Sequence, residues 1–219
     1  MLKLLIFDLD GTLADTSLDL TAAINYAVEP FGTGPYSIEE TKMMVGSGIT
    51  KLLHSLIPEH AVSKDDPTTD PFEEVSTRFL SYYSAHLLDD TTAYPNVKET
   101  LLKLNLYKKV VLTNKREGFS KEILKGIGLL DLFDIVFGSD SLSEKKPSPL
   151  PILEIMKKFG VSKDKTIIIG DSNFDIEAGK AAKIRTIAVT YGFRPVEMLK
   201  DADFIIDDFT DILPILQKI

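Results

Sequence analysis

The sequence predicts an α/β protein: a doubly wound parallel sheet with a Rossmann-like core and a helical module inserted after its first strand. Three observations carry that expectation. Short apolar runs of strand length recur along the chain, helical patterns lie between them from residue 96 onward, and a long N-terminal stretch has helical patterns without a convincing strand. Strands that alternate with helices are the pattern of a parallel sheet.

Lys3 to Phe7 is the first strand, an apolar run of the kind a parallel sheet buries on both faces. Further strands are expected at Val110 to Leu112, Ile135 to Phe137, Thr166 to Ile169, Thr186 to Val189 and Phe204 to Ile206. The intervening helices are expected at Val97 to Leu106, Phe119 to Ile127, Pro149 to Phe159 and Ile176 to Ala182. Residues 15–92 interrupt this alternation. Leu20, Ile24, Ala27, Val28 and Phe31 share one helical face. Ser37-Ile38-Glu39-Glu40 reads as a capping box opening a second helix. Ile49 to Ile57 and Phe72 to Leu88 read as a third and a fourth, with a loop at Asp65 to Pro71 between them. The expected division is therefore a core of residues 1–14 and 93–219 and a helical cap of residues 15–92, hinged at Leu13 to Thr16 and Asp89 to Tyr94. A module inserted at a strand's carboxyl end sits where open α/β sheets bind ligands, a natural place for a lid.

The chain has 219 residues, 44% of them apolar and 26% charged, as in ordinary globular proteins. No apolar run is long enough to cross a membrane, and Leu2 to Phe7 is too short for a signal-peptide core, so the expectation is a cytoplasmic protein without a membrane partner. The absence of cysteine excludes thiolate catalysis and cysteine-bound metal. A net charge of −8 argues against a nucleic-acid partner. It also means that any anionic substrate must meet positive charge supplied locally.

Four constellations carry chemistry. Asp8-Leu9-Asp10-Gly11-Thr12 follows the first strand, with Gly11 permitting a sharp turn. One carboxylate can attack phosphorus, and a second can protonate a leaving alkoxide and then deprotonate water. Alone, an Asp-x-Asp pair also reads as a turn with solvated acids. Thr113-Asn114-Lys115 follows the second core strand, where a hydroxyl and adjacent N–H groups can cradle phosphate; it also reads as a strand-to-helix turn. Lys145-Lys146-Pro147-Ser148-Pro149 holds a lysine in a stiffened loop, where it can balance a phosphate and a carboxylate or stay solvated. Gly170-Asp171-Ser172-Asn173-Phe174-Asp175 adds two acids at a strand end, oxygen donors suited to Mg²⁺, with Asp175 also able to cap the helix from Ile176. All four follow strands of one parallel sheet, so they can converge on one edge.

In this order the four motifs resemble those of the haloacid dehalogenase superfamily of phosphatases, over the whole chain. The resemblance implies that Asp8 is the nucleophile and a Mg²⁺ ligand. It implies that Asp10 is the acid/base and ligates the metal through its backbone carbonyl. Thr113 then holds the phosphoryl group with Asn114 helping through its backbone, Lys146 anchors nucleophile and phosphate, Asp171 ligates Mg²⁺, and Asp175 acts behind it. Within the superfamily the likeness is greatest to phosphoglycolate phosphatases. It rests on Asp8 to Leu20, Val45-Gly46-Ser47-Gly48, Tyr94-Pro95-Asn96-Val97, Thr113-Asn114-Lys115 and Ala202 to Asp208. The implied substrate is a small phosphate ester, 2-phosphoglycolate, with Gly46 and Gly48 forming a specificity loop over the leaving group or, equally, a plain helix-to-helix turn. Phe174 departs from the polar residue frequent in these relatives. Pyrophosphatases, nucleotide phosphatases and sugar phosphomutases share most of these motifs, and a non-turnover phosphoacceptor domain uses a related acid cluster. A monomer or homodimer is expected.

Other residues receive plainer readings. Thr16-x-x-Asp19 can contact substrate from the hinge but reads rather as a capping box for the first inserted helix. His54, His60 and His86 lack ligand spacing. Tyr82-Tyr83 places one ring in the core and one at its edge. Arg194 can approach the mouth of the site but reads rather as a surface residue, and Asp207-Asp208 reads as a solvated strand end.

Overall fold

The computed structural model describes residues 3–57 and 70–218. The first strand, β1 (Leu4–Phe7), leads into a two-residue strand β2 (Ala14–Asp15). Four helices follow: α1 (Ser17–Val28), α2 (Ile38–Met44), α3 (Ile49–Leu56) and α4 (Pro71–Ala85). The return strand β3 (Thr92–Ala93) pairs antiparallel with β2. Then come α5 (Val97–Lys103), β4 (Lys108–Leu112), α6 (Glu117–Gly126), β5 (Ile135–Phe137) and α7 (Leu150–Phe159). The chain continues with β6 (Thr166–Gly170), α8 (Asn173–Ala182), β7 (Arg185–Val189), β8 (Phe204–Ile206) and α9 (Ile212–Lys218).

Six strands form one parallel sheet in the order β5-β4-β1-β6-β7-β8. The alternation of side chains along β1 explains the two layers of helices. Leu4 and Ile6 pack with Ile152, Ile155 and Ala178 of α7 and α8. Leu5 and Phe7 point the other way, into a cluster with Val97, Leu101, Ile123 and Ile212 of α5, α6 and α9. That second cluster continues into the insertion through Leu20, Ile24, Leu53 and Phe79. Each such burial contributes about 1.5–3 kcal/mol, so the inserted helices are fixed to the sheet by the same apolar mass that fixes its own helices.

Every core strand expected from the sequence is present. The capping box at α2 forms as read: Ser37 Oγ accepts from the Glu40 N–H at 3.2 Å, and Glu40 accepts from the Ser37 N–H at 2.8 Å. Three expectations need correction. The hinge segments, read as plain connections, pair as the β2–β3 ribbon. α9 was not expected. α8 begins at Asn173, three residues early, with Ser172 as its N-cap residue and Asp175 in its first turn. The loop at Asp65 to Pro71 falls mostly outside the described residues, as does His60. Among the described residues no helix is long and apolar enough to cross a membrane.

Candidate active site

The order of the strands makes the site. The chain runs outward from β1 to β4 and β5, then returns to β6 on β1's other side. A crevice opens at such a reversal, at the carboxyl ends of the strands. Phe7 is in register with Val111 of β4 and Ile169 of β6. Asp8, Thr113 and Asp171, each the first residue beyond its strand, therefore reach one edge side by side. Gly11, at φ +80°, is required by the fit: a Cβ there would stand 2.1 Å from Asp171 Oδ2.

Lys146 arrives from the loop before α7 and is almost fully buried. Its Nζ lies 2.9 Å from Asp8 Oδ1 and 2.6 Å from Asp175 Oδ1. Asp175 is spent within the protein, since its other oxygen accepts from the Ser172 N–H at 3.2 Å and the Ser172 hydroxyl at 2.6 Å. It thereby opens α8 and fixes Lys146 at once. Asp171 is oriented by the Phe193 N–H at 2.7 Å and the Thr12 hydroxyl at 3.3 Å. Asp8 Oδ1 also accepts from the Leu9 N–H at 2.7 Å.

The carboxylates of Asp8, Asp171 and Asp175 each offer an oxygen within 4.8 Å of the others. Burial, together with repulsion from Asp175, pushes Asp8 up to about 7 against the pull of Lys146. Burial, with repulsion from Asp8 and Asp175, pushes Asp171 up to about 8. Burial works against the charge of Lys146, but Asp175 and Asp8 outweigh it and raise that lysine to about 12. Two of the three acids, Asp8 and Asp175, thus share one buried lysine, and Asp171 beside them has no ion pair among the described residues. An oxygen-only set with excess negative charge fits a hard divalent cation.

Asp10 is held separately. Its Oδ1 accepts from Lys115 Nζ at 2.8 Å and from the Thr16 hydroxyl at 2.6 Å. Lys115 had no role in the sequence reading; it also lies 5.1 Å from the ring centre of Tyr83 on α4. Burial opposes its charge, yet Asp10 and Tyr83 raise its pKa.

Two sequence readings are overturned here. Thr16 makes no side-chain cap to α1, and Asp19 is not its capping partner. Asp19 is buried and accepts from the Asp90 N–H at 3.0 Å, the Thr91 N–H at 2.9 Å and the Thr91 hydroxyl at 2.7 Å. It ties α1 to the segment that leads into β3. Arg194, read as a surface residue, is buried and lines the cleft, donating to the carbonyls of Lys42 and Val45 in the insertion. Burial lowers its pKa, opposed by Asp171, Asp175 and Asp8.

The Gly46 loop does reach the cleft. The Asn114 side-chain amide donates to Gly46 O at 2.7 Å and to Lys146 O at 2.9 Å, so it links strand end, lysine loop and insertion. Gly46 has φ +113°, and a Cβ there would press on Arg194 at 3.1 Å and on the Phe174 ring at 3.2 Å. Gly48 also lines the cleft, as does Thr113. Elsewhere, His54 stacks on Phe72 and His86 pairs with Asp89, away from the cleft lining. Tyr83 is buried and Tyr82 half-buried, as expected. Asp207 and Asp208 are not merely solvated: Asp207 accepts from the Thr190 hydroxyl, and Asp208 from Thr210 and Asn96.

The chain matches the family described as haloacid dehalogenase-like hydrolase over residues 5–189. It is 37% identical over 199 residues to a phosphoglycolate phosphatase of Neisseria gonorrhoeae, spanning 90% of this chain and 84% of that one. It is 35% identical over 223 residues to a phosphoglycolate phosphatase of Chromobacterium violaceum, spanning 99% and 97%. A crystal structure of a predicted phosphoglycolate phosphatase from Haemophilus somnus superposes with a TM-score of 0.90 at 35% identity, covering 99% of this chain and 98% of that one.

Proposed function

From the premise that the chain belongs to the haloacid dehalogenase-like hydrolase family, we propose that it is a Mg²⁺-dependent phosphatase of a small phosphate monoester, 2-phosphoglycolate, acting through an aspartyl phosphate on Asp8. The observation that supports this best is the row of Asp8, Thr113 and Asp171 at three adjacent strand ends, with Lys146 Nζ 2.9 Å from Asp8. The names of the relatives support the substrate.

An Asp8 oxygen attacks phosphorus, and the bond from phosphorus to the leaving oxygen breaks as Asp10 delivers a proton to that oxygen. Water then attacks the phosphorus of the acyl phosphate while Asp10 takes its proton, releasing phosphate and restoring Asp8. Lys115 and Thr16 hold Oδ1 of Asp10, which leaves Oδ2 to serve the leaving group and the water. Lys146 pulls Asp8 back toward its ionised form and orients the attacking oxygen, and the Thr113 hydroxyl holds the phosphoryl oxygens. Mg²⁺, bound by the carboxylates of Asp8 and Asp171 and the backbone carbonyl of Asp10, would neutralise phosphate charge. Residues 15–92 serve as the cap, clasped at the hinge by Asp19 and held over the site by Arg194 and Asn114.

A panel of small phosphate esters with Mg²⁺ tests this reading. Sustained phosphate release, fastest from 2-phosphoglycolate and abolished by EDTA, is expected. Labelling that stops at one phosphoryl group per chain would instead favour a phosphoacceptor switch.

The acid cluster also sets a pH dependence. Asp8 and Asp171 have an ordinary value of 3.8 and stand at about 7 and about 8 in the fold. Between these limits the folded chain keeps protons that the unfolded chain has lost, so metal-free stability falls as pH rises from about 4 to about 8. Mg²⁺ at one hundred times its dissociation constant adds about 2.7 kcal/mol, or roughly 5–10 °C for a chain of this size. Thermal melts in EDTA and in Mg²⁺ are expected to diverge as pH rises from 5 to 8; parallel curves would separate the metal from the acid cluster.

A further inference from the structure

A leaving group that carries a carboxylate is best received by a cation, and among the described residues the insertion places none on the cleft. The cleft is open to solvent at its mouth and encloses about 70 Å³. Its wall from the insertion is built from Leu20, Val45, Ile49, Leu52, Phe79 and Tyr83, together with Gly46 and Gly48. None of these is charged.

The cations therefore come from the sheet side, and most are committed. Lys146 is held by Asp8 and Asp175, and Lys115 by Asp10. Arg194 has both terminal nitrogens on the carbonyls of Lys42 and Val45, and its charge faces Asp171, Asp175 and Asp8. Arg116 differs. It stands just before α6, lines the same cleft, is exposed, and has no ion pair among the described residues. It also lines an adjoining cavity with Lys145, whose Nζ would lie 2.5 Å from a Cβ on Gly48. Lys145 likewise lacks an ion pair among the described residues. Two acids of that cavity, Asp140 and Glu144, form no ion pair with either cation, and Asp140 caps the Glu117 N–H at 2.8 Å.

We infer that Arg116 is the specificity-determining residue that receives the carboxylate of the leaving group, with Lys145 adding positive potential behind the Gly48 loop. The inference rests on the phosphatase reading above and deepens it: the preferred substrates are phosphate monoesters whose alcohol carries a carboxylate. The guanidinium suits this task because its planar fork matches a carboxylate. The apolar wall, in turn, disfavours an uncommitted anion anywhere else in the cleft.

Ethyl phosphate isolates the effect, since it is 2-phosphoglycolate with a methyl group in place of the carboxylate. Steady-state kinetics of both esters are compared in the wild type, Arg116→Gln and Arg116→Lys. Arg116→Gln is expected to raise KM for 2-phosphoglycolate about tenfold, the scale of one charge-assisted hydrogen bond. Its kcat for that ester, and both constants for ethyl phosphate, are expected to stay at wild-type values. Arg116→Lys recovers part of the lost selectivity. Equal losses on both esters, or no loss on either, overturns the assignment. A wild type that hydrolyses ethyl phosphate as well as 2-phosphoglycolate overturns it too, while leaving the phosphatase reading intact. Failure of that reading looks different: no ester is turned over by any of the three proteins.

Discussion

Asp8→Asn is expected to abolish turnover, by on the order of 10⁶-fold, the scale at which enzymes lose activity with their nucleophile. An amide is a poor nucleophile toward phosphorus and a poor ligand for a hard cation. The variant should nonetheless fold. Asp8 is buried among Asp171 and Asp175, and removing its charge relieves the repulsion that lifts both it and Asp171. Lys146 keeps its shorter contact, to Asp175 at 2.6 Å. A metal-free melting temperature at or above that of the wild type is therefore expected beside the loss of activity. Retained turnover in the folded variant would remove Asp8 from the chemistry.

Asp10→Asn is expected to act on two steps, each by about 10²–10⁴-fold. The two can be separated by the leaving group. A nitrophenolate departs with little need of a proton, so phosphorylation of Asp8 by p-nitrophenyl phosphate survives, and hydrolysis of the acyl phosphate becomes the slow step. The expected result is a burst of nitrophenolate equal to the enzyme, followed by a slow phase. With an alkyl ester both steps slow and no burst appears. A steady rate without a burst, equally reduced for both esters, would mean that Asp10 does not serve the water. The substitution also leaves Lys115 without its carboxylate partner, so a lowered melting temperature is expected and the kinetics should be read below it.

Much of the sheet and of its edge was legible in the sequence because the signals are local. β1, β4 and β6 are apolar runs, and the residues that follow them are polar and few. Once the strands are parallel neighbours, Asp8, Thr113 and Asp171 must meet. The missed features depend on partners far away in sequence. Thr16-x-x-Asp19 has the letters of a capping box, but Asp19 found N–H groups 71 and 72 residues on, which outcompeted the local turn. Arg194 bonds to backbone carbonyls, acceptors that every residue carries and that leave no trace in composition. Lys115 was seen within its motif, yet its partner lies 105 residues before it. β2 and β3 are two residues each, too short for periodicity to register. α9 contains Pro214, which reads against a helix, but it falls in the first turn, where the missing N–H has no partner to lose. Phe174, noted only as a departure in its motif, turns out to back the Gly46 loop.

The central claim is that Asp8 itself carries the phosphoryl group. It is tested most directly by quenching the Asp10→Asn protein during turnover of p-nitrophenyl phosphate and reducing it with borohydride, which converts an acyl phosphate of aspartate to homoserine. The account predicts homoserine at position 8, found by peptide mass spectrometry and absent without substrate. Homoserine at another aspartate, or an unmodified Asp8 in protein that has released its burst, would contradict it.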